Sequence, residues 1–237
     1  MTQLFENQSF ERFFEDGRGA IYADLVFDRC RFRNCDVSIT ENPRLRTIVR
    51  NVRLIRCEYV ETAGLSAAIL EEICVDGLKT NGLLQTWATA FKHVTLAGKI
   101  GRIMCSLVAR PALHGKAAPR IQRAFDESNA AYYATVDWAL DISKAEFEEC
   151  DIRGIPAHLI RRDAETQVVV TREKAMQGQW RELPWRTNDW DWNSWINEFL
   201  KDGDPDLVLV APKRARDFKH LLGGLQRLRE AGVAEPE

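Results

Sequence analysis

No stretch of the 237 residues approaches the run of about 18 apolar residues that a membrane-spanning helix requires, and Met1 to Asp16 holds no basic segment followed by an apolar one. Neither a membrane protein nor an exported one is therefore expected. No charge of one sign dominates: 33 Lys and Arg stand against 35 Asp and Glu, a net charge of -2, which gives no global attraction to nucleic acid or to an anionic membrane. Histidine is scarce. His93, His114, His158 and His220 are the full set, and none stands at ligand spacing from a cysteine pair, so no metal site is expected. His114-Gly115-Lys116 lacks the upstream glycine and the following Ser or Thr of a phosphate loop, and Gly98-Lys99-Ile100-Gly101 is no dinucleotide fingerprint. A Gly-x-Ser-x-Gly elbow is also missing. These absences leave no catalytic residue and no cofactor to name, and a non-enzymatic protein is the expectation. The six scattered cysteines, without a secretory signal, read as reduced thiols and place the chain in the cytoplasm.

What is present is a period. Ala20-Ile21-Tyr22, Leu25-Val26-Phe27, Cys30-Arg31-Phe32 and Cys35-Asp36-Val37 follow one another at five-residue intervals, each with a small or medium apolar residue two places before a larger one. The same grammar returns as Leu140-Asp141-Ile142, Ala145-Glu146-Phe147, Cys150-Asp151-Ile152 and Ile155-Pro156-Ala157. Five fits neither the helical period of 3.6 nor the alternation of an ordinary long strand. Short strands joined by tight turns satisfy it, four sides closing one coil of twenty residues, with each coil hydrogen-bonded to the next. Between the two runs the five-residue signal fades, but apolar triplets around Phe32, Leu54, Val75 and Leu96 keep spacings of 22, 21 and 21. Val52 to Val60, Ile73 to Leu78 and Val94 to Ile103 each read as one coil. Pro119 then opens a segment in which Ile121, Phe125, Ser128 and Tyr132 share a helical face, so a helical insertion is expected over about 111–134.

With Ala145-Glu146-Phe147 and Cys150-Asp151-Ile152 as its closest units, the chain resembles the pentapeptide-repeat proteins, whose units centre on Leu or Phe with a small residue two places earlier. The resemblance implies a mainly β fold, a right-handed parallel β-helix of degenerate pentapeptide-like coils, over residues 1–173. It also brings in the DNA-mimicking inhibitors of topoisomerases. Their strongly acidic surface is not matched by a balance of 35 to 33. At the cysteines the resemblance and the residue chemistry agree: Cys30, Cys35, Cys57 and Cys150 are small buried hydrophobes at coil corners rather than thiolate ligands.

Solenoid ends need covering. Phe5, Phe10, Phe13 and Phe14 offer an apolar plug over about 1–17, before Gly17-Arg18-Gly19. Residues 174–237 form a C-terminal α/β cap after a strand at Gln167 to Thr171, with a short helix at Asn193 to Leu200, a strand at Leu207 to Val210 and an amphipathic helix from Arg214 to Glu230. Its apolar face is Phe218, Leu221, Leu222, Leu225 and Leu228. Lys213, Arg214, Arg216, Lys219, His220, Arg227 and Arg229 make that helix basic, which a solvated face explains. Five of the seven tryptophans, Trp180, Trp185, Trp190, Trp192 and Trp195, crowd one short span with Asp189 and Asp191. They either seal the last coil by packing or present a partner surface. On the second reading the partner-binding residues are Trp185, Trp190, Trp192, Trp195, Asp189 and Asp191.

The functional expectation is a cytoplasmic protein-binding solenoid, in its most concrete form an immunity protein that neutralises a bacterial toxin by occlusion. The partner is another protein, with a homodimer also in view, no membrane and no nucleic acid. The alternatives are a DNA-mimicking topoisomerase inhibitor and a β-helix enzyme acting on polysaccharide.

Overall fold

The structure is a computed structural model that describes residues 2–61, 64–109, 115–185, 191–201 and 203–235. Its strands make one 14-stranded, mostly parallel sheet. In chain order these are β1 (Gln3–Glu6), β2 (Ser9–Glu11), β3 (Phe14–Asp16), β4 (Ile21–Asp28), β5 (Arg31–Arg33), β6 (Asp36–Ile39), β7 (Ile48–Val60), β8 (Gly64–Ser66), β9 (Ile69–Trp87), β10 (Ala90–Ser106), β11 (Leu140–Ile152), β12 (Ile160–Arg161), β13 (Gln167–Thr171) and β14 (Asp206–Val210). The main path runs β1-β4-β7-β9-β10-β11-β14-β13 and does not close on itself.

The register carries the coil-length period into space. Leu54 pairs with Val75 and Val75 with Leu96, each 21 residues on. One layer earlier the partner of Leu54 is Phe27, not Phe32, which pairs with Tyr59 instead. The expected spacing of 22 is therefore 27 at that step, because the chain inserts a short 3-10 turn, Pro43–Leu45, between β6 and β7. Alternate residues point inward, as a pleated strand requires. Val52, Ile73, Val94, Leu140 and Ile160 are consecutive partners in one buried column. Ile160 lies over Leu140 twenty residues on, the length of four five-residue units, and Ile155 is buried as well.

The five-residue grammar that fades in the side chains persists in the backbone. Left-handed φ values recur at Asp24, Arg29 and Asn34, at Asn51, Arg56 and Glu61, at Ala67, Glu72 and Gly77, and at Ala88, His93 and Gly98. Each such residue turns the chain between short extended stretches. Non-glycine residues hold this conformation at a cost, offset here because every turn lets its neighbours enter the inter-layer hydrogen bonds.

The expected N-terminal plug is a further layer of strands. β1, β2 and β3 pair in parallel with β4, β5 and β6. Phe5 stacks on Phe27 at 5.1 Å and Phe10 on Phe32 at 5.4 Å, while Phe13 and Phe14 stay exposed. The insertion forms α1 (Ala118–Tyr133), which buries Ile121, Phe125 and Tyr133.

At the other end β13 and β14 pair antiparallel and divide their side chains by the two-residue alternation. Val169, Val208 and Val210 join the core of the parallel sheet. Val168, Val170, Leu207 and Leu209 face a second core with α2 (Arg172–Gln177), α3 (Trp192–Lys201) and α4 (Phe218–Glu230). Strand β13 lies before the expected boundary at residue 174 yet belongs to both cores. Thr171 caps α2, its hydroxyl accepting from the Lys174 amide at 3.3 Å, and Gly178 ends that helix with a left-handed φ of 81°.

Candidate functional site

The tryptophan-rich span builds the second core. Trp180 is buried and donates its indole N–H to the Ala175 carbonyl at 2.8 Å. Trp192 is buried and donates to the Leu221 carbonyl at 2.8 Å. Asp191 has no exposed surface: one carboxylate oxygen accepts from the Trp192 amide at 2.8 Å, and the other meets His220 Nε2 at 3.2 Å, which ties the start of α3 to α4. Of the six residues named from the sequence, only Trp185 and Trp195 keep part of their surface open among those described. Trp185 donates to the Trp180 carbonyl at 2.6 Å and lies under the Arg227 guanidinium. Asp189 and Trp190 lie outside the described residues.

Trp195 leads to a concave surface. Arg153 stacks over its ring at 5.6 Å, and the next residue, Gly154, enters the wall of a cavity of about 600 Å³. Gly154 has a φ of 74°, and a Cβ on it would stand 2.5 Å from the Leu107 side chain, so only glycine fits where β11 leaves the sheet. Three walls meet here. α1 contributes Asp126, Asn129 and Tyr133, the turn after β11 contributes Ile155, Pro156 and His158, and the approach to β14 contributes Asp204, Pro205 and Asp206. Leu107, Ile152 and Val208 add apolar surface.

The wall is acidic, with His158 its one basic side chain. Asp206 is half-buried, and both carboxylate oxygens lie within reach of the Ala157 amide, at 3.2 and 3.3 Å. Burial raises its pKa above the ordinary carboxylate value, and the Ala157 amide, His158 and Arg162 offset part of that rise. The lining holds no Ser, Thr, Cys or Lys side chain, and the Tyr133 phenol accepts a hydrogen bond from the Phe91 amide at 3.3 Å while burial pushes its pKa up. A cavity of this composition can hold an apolar group that carries positive charge. The sequence carries only a faint sign of it, Gly154-Ile155-Pro156 and Asp204-Pro205-Asp206, two turn segments 50 residues apart that nothing local places together.

The cysteines form no site. Cys30 and Cys35 donate to the Phe5 and Phe10 carbonyls, and Cys57 to the Phe27 carbonyl at 3.3 Å. Burial pushes the Cys105 thiol up to about 12. Among the described residues no group of His, Cys, Asp and Glu could hold a metal ion, and no helix is long and apolar enough to cross a membrane. The outer face of the sheet is laced with ion pairs between layers, such as Arg50–Glu71 at 2.6 Å, Lys79–Glu58 at 3.0 Å and Arg31–Glu58 at 3.4 Å. No family model, curated protein or solved structure matches the chain.

Proposed function

We propose that the protein is a non-enzymatic, cytoplasmic binding protein built on a right-handed parallel β-helix of pentapeptide-like coils, and that it neutralises a bacterial toxin by occluding it. The coil reading is supported by the 21-residue register and by left-handed turns at five-residue steps. The binding reading rests on one observation: the cavity where α1, the end of β11 and the approach to β14 converge, with an apolar lining and an acidic wall. A projecting segment of the partner, apolar with a Lys or Arg side chain, fits that chemistry. The ion-paired sheet exterior favours this over DNA mimicry, which needs one sign of charge along a whole face.

Co-expression with the products of neighbouring genes tests it. Growth should be restored against one of them by the wild-type chain, and Asp206→Lys should abolish the rescue without lowering the soluble protein level. Rescue by no combination, or undiminished rescue by Asp206→Lys, contradicts the proposal.

A further inference from the structure

Between β10 and β11 the chain leaves the parallel sheet to form α1, and it comes back past His93. The seat of α1 is a small cluster of its own, Ile121 and Phe125 against Ala67, Ala88 and Ala109. The returning residues bond to α1 itself: the amides of Ala134, Thr135 and Val136 donate to the Ala130, Tyr132 and Tyr133 carbonyls at 3.0–3.2 Å. Among the described residues, the one side-chain hydrogen bond from 134–137 to the sheet joins the Asp137 carboxylate to His93 Nε2 at 2.6 Å. The other ring nitrogen, Nδ1, meets Glu72 of β9 at 2.5 Å, and the ring stacks on Trp138 at 4.7 Å. The remaining charged and titratable groups packed around His93 do not compete for these contacts. Glu71 of β9 pairs with Arg50 at 2.6 Å and accepts from the Tyr132 phenol of α1 at 3.0 Å. Arg161 of β12 lies over Trp138 at 4.1 Å, and Lys92, beside His93 on β10, enters no ion pair among the described residues.

We infer that α1 and residues 134–139 open from the sheet as one local unit, and that the charge on His93 sets how often they open. An imidazolium donates from both ring nitrogens and satisfies both carboxylates, whereas neutral imidazole has one N–H and turns a lone pair toward either Glu72 or Asp137. Glu72 stays beside His93 when the unit opens, since both belong to the sheet. Of the two carboxylate bonds, only that to Asp137 is made on closing, so deprotonation weakens the closed form. Asp137 first and then Glu72 raise the pKa of His93, so the bond is complete below the ordinary value of 6.5 and lost as pH rises through the raised one. Ile121, Phe125, Tyr133 and Val136 are buried, so the closed form prevails at either pH and His93 adjusts a minor population. Because α1 is one wall of the cavity, opening removes that wall. The consequence for partner binding rests on the proposed role of the cavity; the opening itself does not.

Hydrogen–deuterium exchange of the free full chain between pH 5.5 and pH 9, corrected for the intrinsic rate at each pH, reads that population directly, with the His93 ring followed by NMR. Protection of amides 122–136 should fall about two- to fivefold across the titration of His93, the worth of an exposed ion pair, while amides 141–150 of β11 do not follow. Asp137→Ala, an exposed change off the sheet, should give the lowered protection at every pH. His93→Arg keeps its charge and several donors throughout and should keep the high protection at every pH. Arg29 and Arg56 already hold the same left-handed φ, at 52° and 50°. Wild-type protection that does not change across the titration, or a fall of wild-type size in either variant, would overturn the inference. No partner enters the measurement, so it and the growth-rescue experiment can fail independently.

Discussion

Arg46 is 3% exposed and forms no ion pair with a carboxylate among the described residues. It stands in one column with Ala67 and Ala88, and their small size lets its side chain run along the column beneath α1. There it donates to the Ala67 carbonyl at 2.9 Å, to the Ala88 carbonyl, and to Asn129 Oδ1 at 2.6 Å, with its guanidinium over the Phe125 ring at 5.2 Å. Burial lowers its pKa to about 10, still far above neutrality, so the charge is kept. Arg46→Met keeps most of the volume but takes the arginine donor from the Ala67 carbonyl and leaves the Ala88 carbonyl only a 3.4 Å bond from Asn129 Nδ2. It should cost about 2–4 kcal/mol in urea unfolding. His93 is the opposite case, a partly open side chain between Glu72 at 2.5 Å and Asp137 at 2.6 Å, stacked on Trp138. Carboxylates at both ring nitrogens suit the imidazolium, which donates from each. Hydrogen bonds from Asp137 first, then Glu72, raise the pKa of His93, and His93 lowers that of Asp137. The His93 contribution is therefore complete below its ordinary value of 6.5 and lost as pH rises through the raised one. The Asp137 contribution is present above 3.8 and lost as pH falls through the lowered one. Thermal unfolding should show His93→Gln destabilised at pH 5.5 and nearly equal to wild type at pH 9.

At the scale of elements, the legible parts are those whose signal is local. Strand β13 lies where Gln167 to Thr171 was expected, and α1 and α3 lie within a few residues of theirs, because Pro119 and the helical apolar faces are complete in the sequence. Helix α2 was not expected, since six residues carry too little periodicity and only the Thr171 cap and Gly178 mark it. The tryptophans pointed to both a surface and a core; the burial of Trp192 follows from Gly224 on α4, whose lack of a side chain lets the indole approach closely, which no periodicity reveals. A Cβ at Gly224 would stand 2.4 Å from Trp192 Cδ1. Gly224→Ala should therefore part α3 from α4, at a cost of about 1–3 kcal/mol and with a changed tryptophan fluorescence maximum. In the parallel sheet Phe147, 1% exposed and paired with Ile100, is an interior rung of the later repeat run. Phe147→Ala should cost about 3–5 kcal/mol in denaturant unfolding.

For the whole molecule, the coil-length period was legible because stacked layers must repeat side-chain character in register. The middle stretch looked irregular because its turns are held by residues as unlike as Asn51, Glu72, Ala88 and His93, all with left-handed φ but with no shared side-chain chemistry. The cavity was illegible because its walls come from α1, the end of β11 and the approach to β14, which only the tertiary fold brings together. On the proposed binding reading, Asp206 joins stability to function at this scale. Its raised pKa means that the ionised carboxylate is disfavoured in the fold, so stability from this group falls as pH rises from the ordinary carboxylate value through the raised one. Asp206→Asn should unfold at a higher temperature than wild type at pH 7 and, if the cavity holds the proposed partner, bind it more weakly, a trade of stability against binding. The most direct measurement is hydrogen–deuterium exchange of the chain with and without the neighbouring gene product against which it restores growth in the co-expression test. The account expects protection on binding at residues 126–133, 154–159 and 203–206. A complex that leaves those three segments unprotected would contradict it.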